Sequence, residues 1–101
     1  MSDSGAGKKR PGAVVRALEI TNKKGLHARA SAKFVQTVER FDAQVKVTRG
    51  SETVGGNSIM GLMMLSAGPG TMITVEATGK EAAEVVDAIS ALLEGHFDEG
   101  D

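Results

Sequence analysis

Apolar and polar residues alternate along this chain with two different periods, and the period changes several times. A two-residue period is typical of half-buried strands, and it covers Ala13–Ile20, Ala43–Thr48, Ser51–Val54 and Ile73–Ala77. Helical spacing of apolar residues begins at His27 and runs to about Arg40, recurs from Ile59 to about Leu65, and recurs again over Ala82–Leu93. The predicted order of elements is therefore β-α-β-β-α-β-α.

Turn and capping residues mark where these elements meet. Arg49-Gly50 connects the second and third strands as a tight hairpin. Asn57 or Ser58 can cap the short apolar helix, and Thr78 and Glu81 have capping-box spacing before the last helix. This order predicts an α+β fold, with a four-stranded antiparallel sheet and three helices on one face.

The length of 101 residues indicates one folded domain with polar ends. Residues 1–12 lack apolar periodicity and are interpreted as a disordered tail. Gly95 ends the last helix, and His96 has no convincing partners in the sequence. The predicted domain therefore spans residues 13–95, and residues 96–101 are interpreted as a C-terminal tail.

Composition excludes several classes of function. The net charge is −1, and the only aromatic residues are three phenylalanines, which disfavours binding to nucleic acid or to an anionic membrane. The chain has no cysteine, and its two histidines lie far apart, so neither thiol chemistry nor a metal site is expected. No cofactor motif is present, and no apolar run approaches the ~20 residues of a membrane span. A cytoplasmic protein without a cofactor is expected.

The segment Gly25-Leu26-His27-Ala28-Arg29-Ala30-Ser31-Ala32 places a lone histidine at the start of the first helix. Unpaired backbone N–H groups, here those of Ala28 and Arg29, point outward at a helix start, and the helix dipole favours an anion there. A neutral imidazole is a nucleophile near pH 7, and the Arg29 guanidinium can bind phosphate oxygens. His27 is thus a candidate phosphoryl acceptor, although a simple helix cap explains the same position.

Three lysines surround this helix start in the sequence, namely Lys23, Lys24 and Lys33. Each of them alone is best interpreted as a solubilising surface charge. Together with Arg29 they predict a positive patch that steers an acidic partner towards His27.

The short helix from Ile59 to Leu65 has six apolar residues out of seven, too many for one face to bury. Spacing assigns Leu62 and Leu65 to the core. Ile59, Met60 and Met63 are predicted to face outward and to dock a partner. Ser58 is a simple N-cap or, alternatively, a phosphorylation site that adds about −2 charge beside this surface.

With these residues identified, the chain resembles the HPr family of histidine phosphocarriers over about Ala13–Gly95. Gly25-Leu26-His27-Ala28-Arg29 coincides with the active-site signature of the family, and residues 57–65 resemble its regulatory-serine segment. The resemblance implies an open-faced β-sandwich and a monomeric carrier that has no catalytic turnover of its own. It also implies that Enzyme I phosphorylates Nδ1 of His27, drawing on phosphoenolpyruvate, and that His27 passes the group to an Enzyme II A-type protein.

The resemblance further implies that Arg29 stabilises the phosphoryl group and that Ile59, Met60 and Met63 form much of the docking patch. In the family, a serine like Ser58 is phosphorylated by an HPr kinase/phosphorylase, which lowers carrier activity. Ala30 stands where the family commonly has proline, but alanine forms helices well, so the site is expected to survive. Of the two branches of the family, the nitrogen-related regulatory branch is favoured over the sugar-uptake branch.

Two other functions compete with a phosphocarrier. A regulatory module that binds a protein through Ser58 and the apolar helix would work without His27. A small nucleic-acid-binding module would need clustered positive charge and exposed aromatic residues, which the composition does not provide.

Overall fold

A computed structural model describes residues 12–98, which form a four-stranded sheet and three helices. The strands are β1 (Val14–Glu19), β2 (Gln44–Arg49), β3 (Glu52–Gly55) and β4 (Met72–Thr78). The helices are α1 (Ala28–Glu39), α2 (Ile59–Met64) and α3 (Ala82–Glu94). The predicted order of elements is confirmed, and α3 is followed by a short 3-10 turn over His96–Asp98.

All strand pairs in the sheet are antiparallel, in the order β1-β4-β2-β3. Strand β4 lies between β1 and β2, with Ala77 opposite Val14 on one side and Thr78 opposite Gln44 on the other. Along β4 the side chains alternate, so that Ile73 and Val75 are buried while Met72 is exposed. One face of the sheet thus carries the helices, and the predicted α+β, open-faced fold is confirmed.

The hydrophobic core lies between this face and the three helices. Each helix contributes fully buried side chains, including Phe34 of α1, Leu62 of α2 and Ile89 of α3, and the sheet adds Val47 and Val75. Burying one such side chain stabilises the fold by about 1.5–3 kcal/mol. Packing of the apolar faces therefore holds the three helices in place on the sheet.

A tight contact fixes the loop between β1 and α1. Gly25 has φ +65°, and a Cβ atom at this position would lie 2.3 Å from the carbonyl oxygen of Ala67. The backbone N–H of Leu26 donates to that same oxygen at 3.0 Å. A residue without a side chain is needed here, because the loop packs directly against the segment that follows α2. The start of α1 is thereby held beside the end of α2.

The predicted capping box before α3 is wrong. Thr78 is the last residue of β4, and Glu81 is the N-cap residue but makes no side-chain capping bond. Its carboxylate instead accepts from the backbone N–H of Asp42 at 2.7 Å. The spacing of the two residues was suitable, but the carboxylate binds a backbone group just before β2.

The C-terminal boundary also differs from the prediction. His96, Phe97 and Asp98 form a turn with φ between +54° and +60°, and the side chain of Phe97 is fully buried in the core. Lys33 Nζ donates to the carbonyl oxygen of Phe97. The folded domain therefore extends to Asp98 rather than ending at Gly95. Residues 1–11 of the predicted N-terminal tail and residues 99–101 lie outside the described part.

Candidate functional site

His27 is the N-cap residue of α1, where it has extended backbone geometry with φ −74° and ψ −177°. Its Nδ1 atom accepts from the backbone N–H of Arg29 at 3.3 Å, and its carbonyl oxygen accepts from Ser31 at 2.8 Å. In a neutral ring, an accepting Nδ1 leaves the proton on Nε2. The lone pair of Nδ1 thus lies at the N-terminus of the helix, where an anion is favoured.

The surroundings of His27 leave room for a partner. The ring is half-buried, while Ala28 and Arg29 are exposed. A shallow depression beside the ring is lined by Lys24, Met63 and Ser66. Helix α1 begins at Ala28, and Ala30 lies in its first turn. The helix thus forms with alanine at this position, and survival of the site stays a prediction.

The predicted positive patch is smaller than the sequence indicates. Arg29 and Lys24 are exposed near His27. Lys33, however, is half-buried, and its ammonium group donates to the carbonyl oxygen of Phe97. This bond directs Lys33 towards the C-terminal turn, so Lys33 is removed from the patch.

Ser58, and not Asn57, caps α2. Its Oγ accepts from the backbone N–H of Gly61 at 2.9 Å. At the other end of the helix, Arg49 Nη1 donates to the carbonyl oxygen of Leu65 at 3.2 Å. Both ends of this six-residue helix are therefore held by side-chain hydrogen bonds.

The apolar residues of α2 divide as predicted, with one addition. Leu62 and Leu65 are buried, whereas Ile59, Met60 and Met63 are 40%, 70% and 41% exposed. Met64, which was not singled out from the sequence, is also 70% exposed. Its four-residue distance from Met60 was the available signal, because residues four apart share a helix face. We call Ile59, Met60, Met63 and Met64 the docking surface.

Residues 12–98 show neither a metal-binding cluster nor a membrane-spanning helix. No three residues among the histidines and carboxylates of this range are grouped so that they could hold a metal ion. No helix in the same range is both long enough and apolar enough to cross a membrane.

The fold and the site together define a class of protein. A small α+β domain presents a histidine at the open start of a helix, and an exposed apolar helix lies next to it, as expected of a carrier that docks on other proteins to exchange a phosphoryl group. The comparisons with known proteins agree with this class. Residues 14–95 match the PTS-HPr family, described as "PTS HPr component phosphorylation site".

The chain is 50% identical over 86 residues to the phosphocarrier protein HPr of Neisseria meningitidis serogroup A, covering 85% of this chain and 97% of that protein. It is 40% identical over 84 residues to the phosphocarrier protein NPr of Shewanella violacea, covering 83% and 92%. The crystal structure of HPr-C-His from Thermoanaerobacter tengcongensis matches with a TM-score of 0.82 and 38% identity, covering 85% and 97%. The chain belongs to the HPr family of the phosphotransferase system, and it is a phosphocarrier rather than an enzyme.

Proposed function

We propose that His27 is the residue that carries the phosphoryl group, which it accepts from Enzyme I and passes to an Enzyme II A-type protein. The observation that carries this proposal is the position of Nδ1 at the start of α1, 3.3 Å from the backbone nitrogen of Arg29. Phosphoenolpyruvate is the ultimate source of the group. Membership of the family supports phosphoryl transfer as the reaction, and the local geometry supports His27 as the residue that carries the group.

In the proposed step, the lone pair of Nδ1 forms a bond to phosphorus while the bond between phosphorus and the donor breaks. The electron pair of the broken bond stays with the donor, and the imidazole keeps its proton on Nε2. The transferred oxygens then lie at the helix N-terminus, within reach of the backbone N–H groups of Ala28 and Arg29 and of the Arg29 guanidinium. Transfer to the acceptor is the same displacement in the opposite direction.

We assign recognition of both partners to the docking surface. Met63 borders the depression beside His27, so a partner seated on α2 would also cover the imidazole. Flexible methionine side chains suit a surface that must fit more than one protein. An exposed apolar surface next to the reacting nitrogen thus supports docking before transfer.

Ser58 is the proposed regulatory residue, phosphorylated by an HPr kinase/phosphorylase. Its Oγ already lies at the N-terminus of α2, where a phosphate would find backbone donors and a favourable dipole. About −2 charge at this position would border the docking surface and disfavour an apolar partner. This is how phosphorylation of Ser58 would lower carrier activity.

The deciding experiment is phosphorylation with phosphoenolpyruvate and Enzyme I, followed by mass measurement at neutral and at acid pH. We expect the wild-type chain to gain one acid-labile phosphoryl group and His27→Ala to gain none. His96→Ala is the matched control, since it removes the only other histidine. Uptake by His27→Ala, or loss of uptake in His96→Ala alone, would contradict the proposal.

The exposed docking surface also favours a second function, that of a regulatory module which binds a protein without transferring a group. In that case His27→Ala would still bind and regulate the partner, while docking-surface variants would not. The nitrogen-related branch stays a prediction, because the matched relatives carry both the HPr and the NPr name. The cytoplasmic location also stays a prediction.

A further inference from the structure

Asn22 has a fully buried polar side chain in the loop between β1 and α1. It lies between Ile20, which follows β1, and Gly25, and its neighbours Lys23 and Lys24 are exposed. Only two other polar side chains in residues 12–98 are buried to a similar degree, those of Ser31 and Thr37. Because burying an amide is unfavourable unless it is hydrogen-bonded, the contacts made by Asn22 identify what it holds in place.

The side-chain amide of Asn22 and the backbone N–H of His27 share one acceptor, the Gly25 carbonyl oxygen. Its Nδ2 donates to the carbonyl oxygen of Gly25 at 2.9 Å, and the backbone N–H of Gly25 donates back to the carbonyl oxygen of Asn22 at 3.2 Å. The same Gly25 oxygen accepts from the backbone N–H of His27 at 2.9 Å. A single carbonyl therefore connects the Asn22 amide to the backbone of the capping histidine.

The peptide between Gly25 and Leu26 is also restrained by the segment that follows α2. The glycine packs against Ala67, whose carbonyl oxygen also accepts from Leu26. Because a trans peptide is planar, the Gly25 carbonyl and the Leu26 N–H lie on opposite edges of one plane. The Ala67 oxygen holds the N–H edge of this plane, and the Asn22 amide holds the carbonyl edge. Rotation of that carbonyl would turn the His27 backbone and, with it, the imidazole.

We infer that Asn22 is a positioning residue for phosphoryl transfer, acting through the Gly25 carbonyl to hold Nδ1 of His27 against the start of α1. This inference rests on the proposed function of His27. The bond from the Arg29 backbone to Nδ1 is already long, at 3.3 Å, so a small rotation of the ring breaks it. Misplacement of a reacting group by ~1 Å lowers a rate by ~10²-fold.

The test compares Asn22→Asp with Ile89→Val in the full-length chain. Asn22→Asp keeps the size of the side chain but presents a carboxylate oxygen, which cannot donate, to the Gly25 carbonyl. Ile89→Val is a mildly destabilising change in the core of α3, far along the chain from the site. If Asn22→Asp does not fold, Asn22→Ser, whose hydroxyl is too short to reach Gly25, takes its place.

The measurement is the steady-state rate of Enzyme I with each carrier variant as substrate. We expect kcat to fall about tenfold in the Asn22 variant while KM changes by less than about twofold, because positioning is lost and docking is kept. Ile89→Val should retain both constants. Equal values for the Asn22 variant and the control would overturn the inference.

A second measurement needs no variant. On phosphorylation of the wild-type chain, the side-chain NH₂ resonances of Asn22 should shift, while those of Asn57, the only other asparagine, should stay in place. An unmoved Asn22 resonance contradicts the inference. If the wild-type chain takes up no phosphoryl group at all, the proposed function of His27 fails first, so the two failures are distinguishable.

Discussion

His27 performs two tasks with one side chain, since its Nδ1 atom both caps α1 and is the proposed nucleophile. Loss of this capping hydrogen bond would lower the stability of the fold only slightly, by ~1 kcal/mol. In the proposed phosphorylated form, phosphoryl oxygen atoms would replace Nδ1 as the acceptors for the same backbone donors. His27 could therefore be phosphorylated while the backbone N–H groups at the start of α1 keep a hydrogen-bond acceptor.

Arg29 donates its backbone N–H to Nδ1 of His27, and its side chain is proposed to bind the phosphoryl oxygens, so the two roles can be tested separately. Arg29→Ala removes the guanidinium and keeps the backbone N–H that bonds to Nδ1. A hydrogen bond to a charged group is worth about 1.5–3 kcal/mol, so we expect transfer from Enzyme I to slow by about tenfold or more. Single-turnover transfer rates measure this effect. Arg29→Lys should be intermediate, because the charge remains and the planar fork is lost.

Arg40→Ala is the control for this prediction. Arg40 is an exposed arginine at the opposite end of the same helix, where it is the C-cap residue. If Arg29→Ala transfers as fast as Arg40→Ala, the guanidinium takes no part in the step.

Single residues also mark where sequence reasoning fails. The glycine, the histidine and the small residues after it predict a helix start with a phosphoryl acceptor, because capping chemistry is local. The burial of Asn22 and the bond from the backbone N–H of Asp42 to the Glu81 carboxylate could not be predicted, because both depend on how the loops pack. A polar loop residue carries no sequence signal of being buried.

At the scale of one element, α2 combines a structural cap with the proposed docking and regulation. Its bounds were predicted to within one residue, because Ser58 and the apolar run define them locally. Met64 was missed because an apolar run by itself does not show which side chains the core has room for. Two predictions separate the cap from the docking surface.

The first prediction concerns stability and charge at Ser58. Ser58→Ala should lower the free energy of unfolding by ~1 kcal/mol, since the bond to the Gly61 N–H is lost. Ser58→Asp keeps a good capping residue and places negative charge at the helix start, so its stability should stay close to that of the wild type. Only Ser58→Asp should transfer phosphoryl groups slowly, because its charge borders the docking surface.

Urea unfolding and transfer assays on the same samples test this separation. Ser51→Ala, at an exposed serine in the β2–β3 turn, is the control and should change stability by less than about 0.5 kcal/mol. Equal slowing of transfer in Ser58→Ala and Ser58→Asp would show that charge is not the cause.

The second prediction compares two exposed methionines. Met60→Glu should raise the KM for Enzyme I by about tenfold and leave kcat nearly unchanged, because a carboxylate on the docking surface must be desolvated against an apolar partner. Met72→Glu is the matched control, as Met72 is 52% exposed on β4, outside the docking surface. Similar KM values for the two variants would exclude α2 as the main contact.

At the scale of the whole molecule, the order of the helices and strands was predictable, but the packing of the C-terminal turn onto the core was not. Alternation and helical spacing are read within each segment, and with an antiparallel hairpin they leave few ways to arrange four strands and three helices. The packing of the turn over His96–Asp98, in contrast, depends on contacts with distant parts of the chain, such as the bond from Lys33. This is why Phe97, taken as part of a tail from the sequence, proves to be a core residue.

The final prediction concerns this C-terminal turn. Three consecutive residues without glycine adopt left-handed geometry there, which is unfavourable for L-amino acids and persists only where other contacts hold it. The buried ring of Phe97 and the bond from Lys33 to its carbonyl oxygen are those contacts. Phe97→Ala should therefore lower the free energy of unfolding by about 3–5 kcal/mol, a large part of the ~5–15 kcal/mol that stabilises a small domain.

Urea unfolding measures this loss, and Phe41→Ala is the control, because Phe41 is only partly buried at the edge of the same core. The control should cost clearly less than Phe97→Ala. A loss in Phe97→Ala no larger than that in Phe41→Ala would place the end of the domain at Gly95. The transfer rate per folded molecule should stay unchanged in Phe97→Ala, since the ring that is removed lies in the core. This outcome would show that the turn stabilises the fold that presents His27 without taking part in the proposed transfer.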